Sequence, residues 1–331
     1  RRVKGVRCSD LTKHRGVEAT AVGTFTASGP GLVRYRGETV FSMDMDFLHN
    51  GLPRKELAEK YTPAPRTKKL PEPASDYTKE FLAILARLNV CSFEFISAQY
   101  DHEVQANSVI KPVQGKGRVN GNASVIRPVL SSKKGVVLSQ GLYPSYSEID
   151  PYNMAAASID TAIRNAISVG GSLDSLAILD NFCWCDSLNP ERLGQLVRAA
   201  EACYDYAVAY GTPYVSGKDS MFNDFKGYDK AGNPVKLSVP PTLLVSSFGV
   251  IDNVEKAQSI DFKRSGDLVY VLGFTNEECA GSEYEALIQK IDPEFKGINV
   301  PAVDAKKHIV LYREFEKALG ANLIASSISI E

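Results

Sequence analysis

A chain of 331 residues has room for two or three domains, and its 44% hydrophobic content supplies material for real cores. The 38 basic side chains against 39 acidic ones leave a net charge of -1, which gives no bulk field for nucleic acid or an anionic membrane surface. Six scattered cysteines are not the framework of a small secreted domain, no apolar run reaches the roughly 18 residues of a membrane span, and the opening RRVKGVRCSD lacks a signal-peptide core, so a reducing cytoplasm is the expected location.

Residues 1–50 read as strands, first EATAVGTFTASG and then a hairpin, GLVRYRGETVFSMDMDF, turning at Arg36, Gly37 and Glu38. The basic residues of the opening (Arg1, Arg2, Lys4, Arg7, Lys13, Arg15) have no interleaved aromatics to stack bases and read as a solvated face. Proline alternating with charge in KYTPAPRTKKLPEPAS makes 51–78 a connector. The apolar spacing of Phe81, Leu82, Ile84, Leu85 and Leu88 predicts a helix over about 76–88. Three short β-rich segments follow, VCSFEFISAQYD, GRVNGNASVIRPVL and KKGVVLSQGL, and predict one mixed or antiparallel sheet.

Asp150 and Pro151 have the chemistry of a helix start, and Gly170 and Gly171 that of a stop. The alanines between them imply close approach to a neighbour. A strand, SLAILDNFCW, comes next, then a second helix from Asn189 and Pro190 to Gly211, then the strand TPYVSG. A turn at Ala231 to Asn233 and an apolar strand, PTLLVSSFGVI, complete a sheet with two long helices, an α+β arrangement. Beyond Asn253 the pattern predicts a strand over 266–274, helices over 283–291 and 303–319, and a last strand, NLIASSISIE. A chain that stops inside an apolar strand is expected to be part of something longer.

The chemistry concentrates in Gly217, Lys218, Asp219 and Ser220, which follow the TPYVS run. A lysine offers a point charge to phosphate, an aspartate can hold Mg²⁺, and glycine allows close backbone approach. The pattern is not a P-loop, and a surface turn is the alternative. Asp180 and Asn181 end a strand between two helices, where ligands commonly lie, and suit Mg²⁺ or a ribose; a helix cap or turn is the other account. Asn165 stands beside Ile163 and Ile167 on an apolar helix face, where it needs a partner from protein or ligand. Gly115 and Lys116 within QGKG could cradle phosphate or form a hairpin turn, and His102 after Tyr100 and Asp101 could act as acid or base or lie in an exposed loop. Cys183 and Cys185 flank Trp184 with no nearby histidine, which leaves a zinc site short of ligands.

Taken in order, YDHEV, KPVQGKG, the DPY-led helix ending in RNAISVGG, LAILDNF, PYVSGKDSMFND and the PPT element resemble the second half of the phosphoribosylformylglycinamidine synthase family. Its superfamily includes aminoimidazole ribonucleotide synthetase, selenophosphate synthetase and thiamine-monophosphate kinase. The resemblance implies a tail of a preceding C-terminal-type α+β domain at 1–50, a linker and helix at 51–89, an N-terminal-type sheet domain at 90–252, and the truncated start of a C-terminal-type domain at 253–331. Strands of the sheet domain would pair into a barrel with a second copy or with the missing first half, giving a possible homodimer through 90–138.

The implied activity is ATP-dependent conversion of formylglycinamide ribonucleotide to its amidine with ammonia from a glutaminase subunit or domain. ATP or ADP with Mg²⁺ are the implied cofactors. Asp101, Asn165 and Asp219 match positions around nucleotide phosphates and Mg²⁺, and Lys218 goes with them. Thr161 stands where many relatives carry Glu, and QYDHEVQAN replaces a histidine-rich catalytic motif, so no catalytic residue is assigned and an auxiliary nucleotide site is expected. The alternatives are a structural half with a dead site, or another superfamily synthetase such as a selenophosphate synthetase.

Overall fold

The computed structural model describes residues 2–63, 66, 74–99 and 103–331 and separates into two compact units, Arg1–Glu56 and Leu57–Glu331. The first unit holds α1 (Arg2–His14), β1 (Gly31–Tyr35), β2 (Glu38–Met43) and α2 (Met45–Asn50). Pairing of Tyr35 with Glu38 leaves Arg36 and Gly37 as a two-residue loop, with φ of 51° and 90°. Positive φ at both positions matches the right-handed twist of the flanking strands. Only this hairpin meets the expectation of strands in the first 50 residues. Residues 2–14 are helical instead, because their lysines, arginines and leucine favour a helix and lack alternation. EATAVGTFTASG forms no ladder; its small residues offer little apolar area to a partner strand.

The second unit opens with α3 (Thr78–Leu85), started by the Asp76 carboxylate, which accepts the Thr78 amide at 2.9 Å. Its predicted apolar face stays largely open to solvent at Phe81, Leu82 and Leu85. The VCSFEFISAQYD segment is not a strand: Glu94–Ser97 form a short helix, α4, and residues 100–102 lie outside the described residues. Phe93 and Asn120 set this turn, since the Asn120 carboxamide accepts the Phe93 amide at 3.1 Å and donates to the Cys91 carbonyl at 3.0 Å.

Next come β3 (Ser108–Ile110), β4 (Val113–Gln114), β5 (Val119–Asn120), β6 (Ala123–Ile126), β7 (Gly135–Leu142), α5 (Pro151–Ser168), β8 (Leu176–Cys183), α6 (Pro190–Tyr210), β9 (Tyr214–Ser220), β10 (Phe225–Tyr228), β11 (Pro234–Leu237), β12 (Thr242–Ile251), α7 (Glu283–Ile288) and α8 (Ala305–Gly320). Six strands form one mixed sheet in the order β3-β6-β7-β12-β8-β9, parallel only between β8 and β9, with α6 as the crossover between those two.

Both long helices begin and end as their sequences dictate. Asp150 accepts the Asn153 amide at 3.1 Å, Asn189 accepts those of Glu191 and Arg192, and Gly211 closes α6 at φ 69°. α5 is buried along almost its whole length between β7, β12 and α6. Gly141 on β7 permits this, because a β-carbon there would stand 2.1 Å from the Ser158 carbonyl oxygen. Residues 266–274 and 323–331 form no ladder among the described residues, and Val269, Val271 and Phe274 are exposed.

Candidate functional site

The β8–β9 pair gathers four of the sequence candidates. Register sets Asp180 opposite Gly217, Asn181 opposite Lys218 and Phe182 opposite Asp219. GKDS is therefore strand, not turn. Because successive side chains alternate across a sheet, the candidates divide into two sets. Asn181 and Lys218 share the open face, beside a depression of about 210 Å³ whose other walls include Leu179, Ser216, Leu244 and Ser246. There the Lys218 ammonium donates to the Ser220 hydroxyl at 2.7 Å.

Asp180 and Asp219 belong to the helix-side face, with Ile178 and Phe182 buried beneath α5 and α6. Glycine at 217 makes room for the Asp180 carboxylate, since a β-carbon there would lie 2.3 Å from its Oδ1. Burial, and then the charge of Asp219, push the Asp180 carboxyl up. Behind it, burial raises the Cys203 thiol to about 11, and Tyr214 is raised for the same reason. Two adjacent carboxylates with hard oxygen donors suit Mg²⁺, which takes one or two protein carboxylates and completes its shell with water and phosphate. No group of three potential metal-ligating side chains occurs among the described residues. Asp101 lies outside the described residues, as do Tyr100 and His102.

Asn165 is held elsewhere, on α5. Its amide nitrogen donates to the Gln140 carbonyl at 3.0 Å and to a Glu331 carboxylate oxygen at 2.6 Å. It is 1% exposed, and its Oδ1 finds no partner among the described residues. Thr161, one turn earlier, bonds the Tyr143 hydroxyl at 2.9 Å and accepts from Arg164 at 3.2 Å. Gly115 and Lys116 sit in the turn of the β4–β5 hairpin, with Gly115 at φ 67°, and Gln114 ties that hairpin to the Ile260 amide at 3.0 Å. The structure thus brings Asp180, Asn181, Lys218 and Asp219 onto one strand pair and leaves Asn165, Gly115 and Lys116 apart from it.

Cys185 and Trp184 are buried, and the Trp184 ring nitrogen donates to the Arg192 carbonyl at 3.0 Å, as packing and not metal binding requires. Sequence reasoning missed a buried polar centre on α5. There Asp160 accepts from Tyr210 at 2.5 Å, Tyr312 at 2.6 Å and Arg164 at 2.7 Å, and meets His308 Nδ1 at 2.9 Å. The only local signal was the charged pair of Asp160 and Arg164, spaced for one helix face.

Residues 120–238 match the model of the AIR synthase related protein, N-terminal domain. The phosphoribosylformylglycinamidine synthase subunit PurL of Thermoplasma volcanium is 28% identical over 289 residues, covering 84% of this chain and 35% of the relative. That of Methanocaldococcus jannaschii is 28% identical over 328 residues, covering 96% and 42%, and that of Methanosarcina barkeri is 30% identical over 279 residues, covering 83% and 36%. The solved PurL of Thermotoga maritima complexed with ADP is 23% identical and covers 70% of this chain and 33% of that one, at a TM-score of 0.48. The chain spans about a third to two fifths of the length of these curated relatives. On the sequence similarity that runs through most of its length, the chain is a homologue of the phosphoribosylformylglycinamidine synthase subunit PurL, within the AIR synthase-related superfamily.

Proposed function

We propose that this chain is the second-half segment of an ATP-dependent C–N ligase of purine biosynthesis, which converts formylglycinamide ribonucleotide to its amidine with glutamine-derived ammonia. Its own part is an auxiliary nucleotide site and a sheet surface for the first half. Ammonia release belongs to a glutaminase subunit or domain, and a cytoplasmic location follows from the pathway. In this reading 1–50 and 253–331 are parts of C-terminal-type domains flanking a linker and helix at 51–89 and a sheet domain at 90–252.

The observation that carries the proposal is the parallel β8–β9 pair, with Asn181 and Lys218 beside an open depression and Asp180 and Asp219 paired on the other face. An ammonium and a carboxamide on the open face suit phosphate and ribose, and the paired carboxylates on the helix-side face suit a separate Mg²⁺. Asn165, Gly115, Lys116 and Asp101 remain proposed contributors. Calorimetric titration of the chain with ADP and Mg²⁺ tests this: saturable binding is expected, weakened at least about tenfold by Lys218→Ala, the loss of one charge-assisted contact. Absence of binding by the parent chain would sink the proposal.

Thr161 favours a second reading, a structural half with a dead site, because its hydroxyl is already engaged by Tyr143 and Arg164. The sheet surface is tested separately. Leu138 and Leu142 lie half exposed on the open face with Leu244 and Phe248, an apolar strip suited to closing a barrel with a second copy. Sedimentation should show a dimer that Leu138→Glu with Leu142→Glu dissociates; a monomer at high concentration contradicts it.

A further inference from the structure

Glycine at position 194, inside the second turn of α6, costs a helix about 1 kcal/mol relative to alanine. The structure supplies its reason: a β-carbon there would lie 2.2 Å from the Lys60 carbonyl oxygen and 3.0 Å from the Tyr61 amide nitrogen. Residues 57–62 of the connector are seated on the helix at this point. The Lys60 amide donates to the Pro190 carbonyl at 2.9 Å, and the Thr62 amide and hydroxyl both donate to the Glu191 carboxylate at 3.2 Å. The Lys60 ammonium meets the same carboxylate at 2.8 Å, and the Arg198 guanidinium lies 6.0 Å from the Tyr61 ring centroid.

The part of α6 under this strap also holds the strand pair. The Arg192 carbonyl accepts the Trp184 ring N–H at 3.0 Å, and the Trp184 amide donates to the Ser220 carbonyl at 2.8 Å. Trp184 thus ties the ends of β8 and β9 to the turns that the strap grips. Asn181 precedes it in β8, and the Lys218 ammonium reaches the Ser220 hydroxyl at 2.7 Å. A contiguous chain of hydrogen bonds therefore runs from the connector to the residues beside the depression.

The hold of the strap is slight. The side chains of Lys60 and Glu191 are 68% and 43% exposed, so their ion pair is worth at most about 1 kcal/mol, and Leu57 is half exposed. A seat made of a few solvent-exposed polar contacts and one ring opens at low cost. We propose that residues 57–62 are a strap whose docking on α6 positions the ends of β8 and β9, so that docking and nucleotide binding favour each other. The inference rests on the nucleotide-site reading above and adds Tyr61, Glu191 and Gly194 as positioning residues that act through Trp184. Because coupling is reciprocal, ligand must steady the strap as much as the strap improves binding.

The test combines backbone hydrogen exchange over 57–62 with titration of ADP plus Mg²⁺, in the parent chain, Gly194→Ala, Tyr61→Ala and Tyr61→Phe. Saturating ADP should slow exchange of the strap in the parent. Gly194→Ala favours helix by propensity yet displaces the strap, and Tyr61→Ala leaves α6 unaltered; both should speed strap exchange and weaken ADP at least about fivefold, the low end of ordinary coupling. Tyr61→Phe keeps the ring over Arg198 and should bind as the parent does. Urea unfolding followed by Trp184 fluorescence shows that each variant is folded. Unchanged ADP affinity in Tyr61→Ala, or strap exchange in the parent that saturating ADP leaves unaltered, overturns the proposal. If that happens while Lys218→Ala still weakens ADP, only the strap fails and the nucleotide site stands. If the parent does not bind ADP at millimolar concentration, both fail.

Discussion

Asp160→Asn probes the interior that fixes α5. The carboxylate is 1% exposed and takes hydrogen bonds from two tyrosines on different helices, from Arg164 in its own helix and from His308 on α8. Burial alone would raise its pKa, but the His308 bond, the Arg164 charge and the Tyr210 bond outweigh that and hold it below the ordinary carboxylate range. Asparagine keeps the shape but loses the charge, and it turns a donor toward Arg164 if its oxygen keeps the tyrosines. Breaking a buried charged pair costs about 3–5 kcal/mol, or a fall in midpoint of roughly 6–20 °C at about 2–4 °C per kcal/mol for a domain of this size class.

The chain has a single tryptophan, Trp184, fully buried, so its fluorescence reports urea unfolding directly. The difference between parent and variant should be full near neutral pH. Because the folded pKa is depressed, it should shrink as pH falls below the unfolded value of about 3.9 and through the lower folded one. A variant within about 1 kcal/mol of the parent at pH 7 would refute the role assigned to this centre.

Gly141→Ala should destabilise by about 1–3 kcal/mol, as overpacking does, since its β-carbon meets the α5 backbone at 2.1 Å from the Ser158 oxygen and 3.0 Å from the Ala162 nitrogen; urea unfolding checks it. Gly217→Ala should instead leave stability within about 1 kcal/mol, because only a side chain must swing aside, yet weaken Mg²⁺ binding by displacing the Asp180 carboxylate. The raised pKa of Asp180 makes its ionised form a cost to the folded state. Asp180→Asn should therefore match the parent below the unfolded pKa and become relatively more stable as pH rises through the folded one, as unfolding at about pH 3 and about pH 8 would show.

The elements most legible in the sequence were those with local chemistry. Caps at Asp150 and Asn189 and the helix stop at Gly211 each depend on a few neighbouring residues and occur as read, while the Arg36-Gly37-Glu38 turn closes one residue earlier, with Glu38 already paired to Tyr35. What was hidden depends on partners distant in sequence. The face of α3 looked like a core face, yet nothing in its own pattern says whether another element covers it, and Phe81 is 61% exposed. Strand alternation separates Lys218 from Asp219 only once residues 214–220 are known to be a strand. The meeting of Asp160 with Tyr210, His308 and Tyr312 joins three helices and leaves no local trace.

The central claim is that nucleotide binds at the β8–β9 pair. Backbone hydrogen exchange of the chain with and without ADP and Mg²⁺ tests it most directly. The predicted result is slower exchange in peptides covering 176–183 and 214–220, with the β10–β11 hairpin unchanged. Exchange unaltered in both strands at saturating ligand would contradict it.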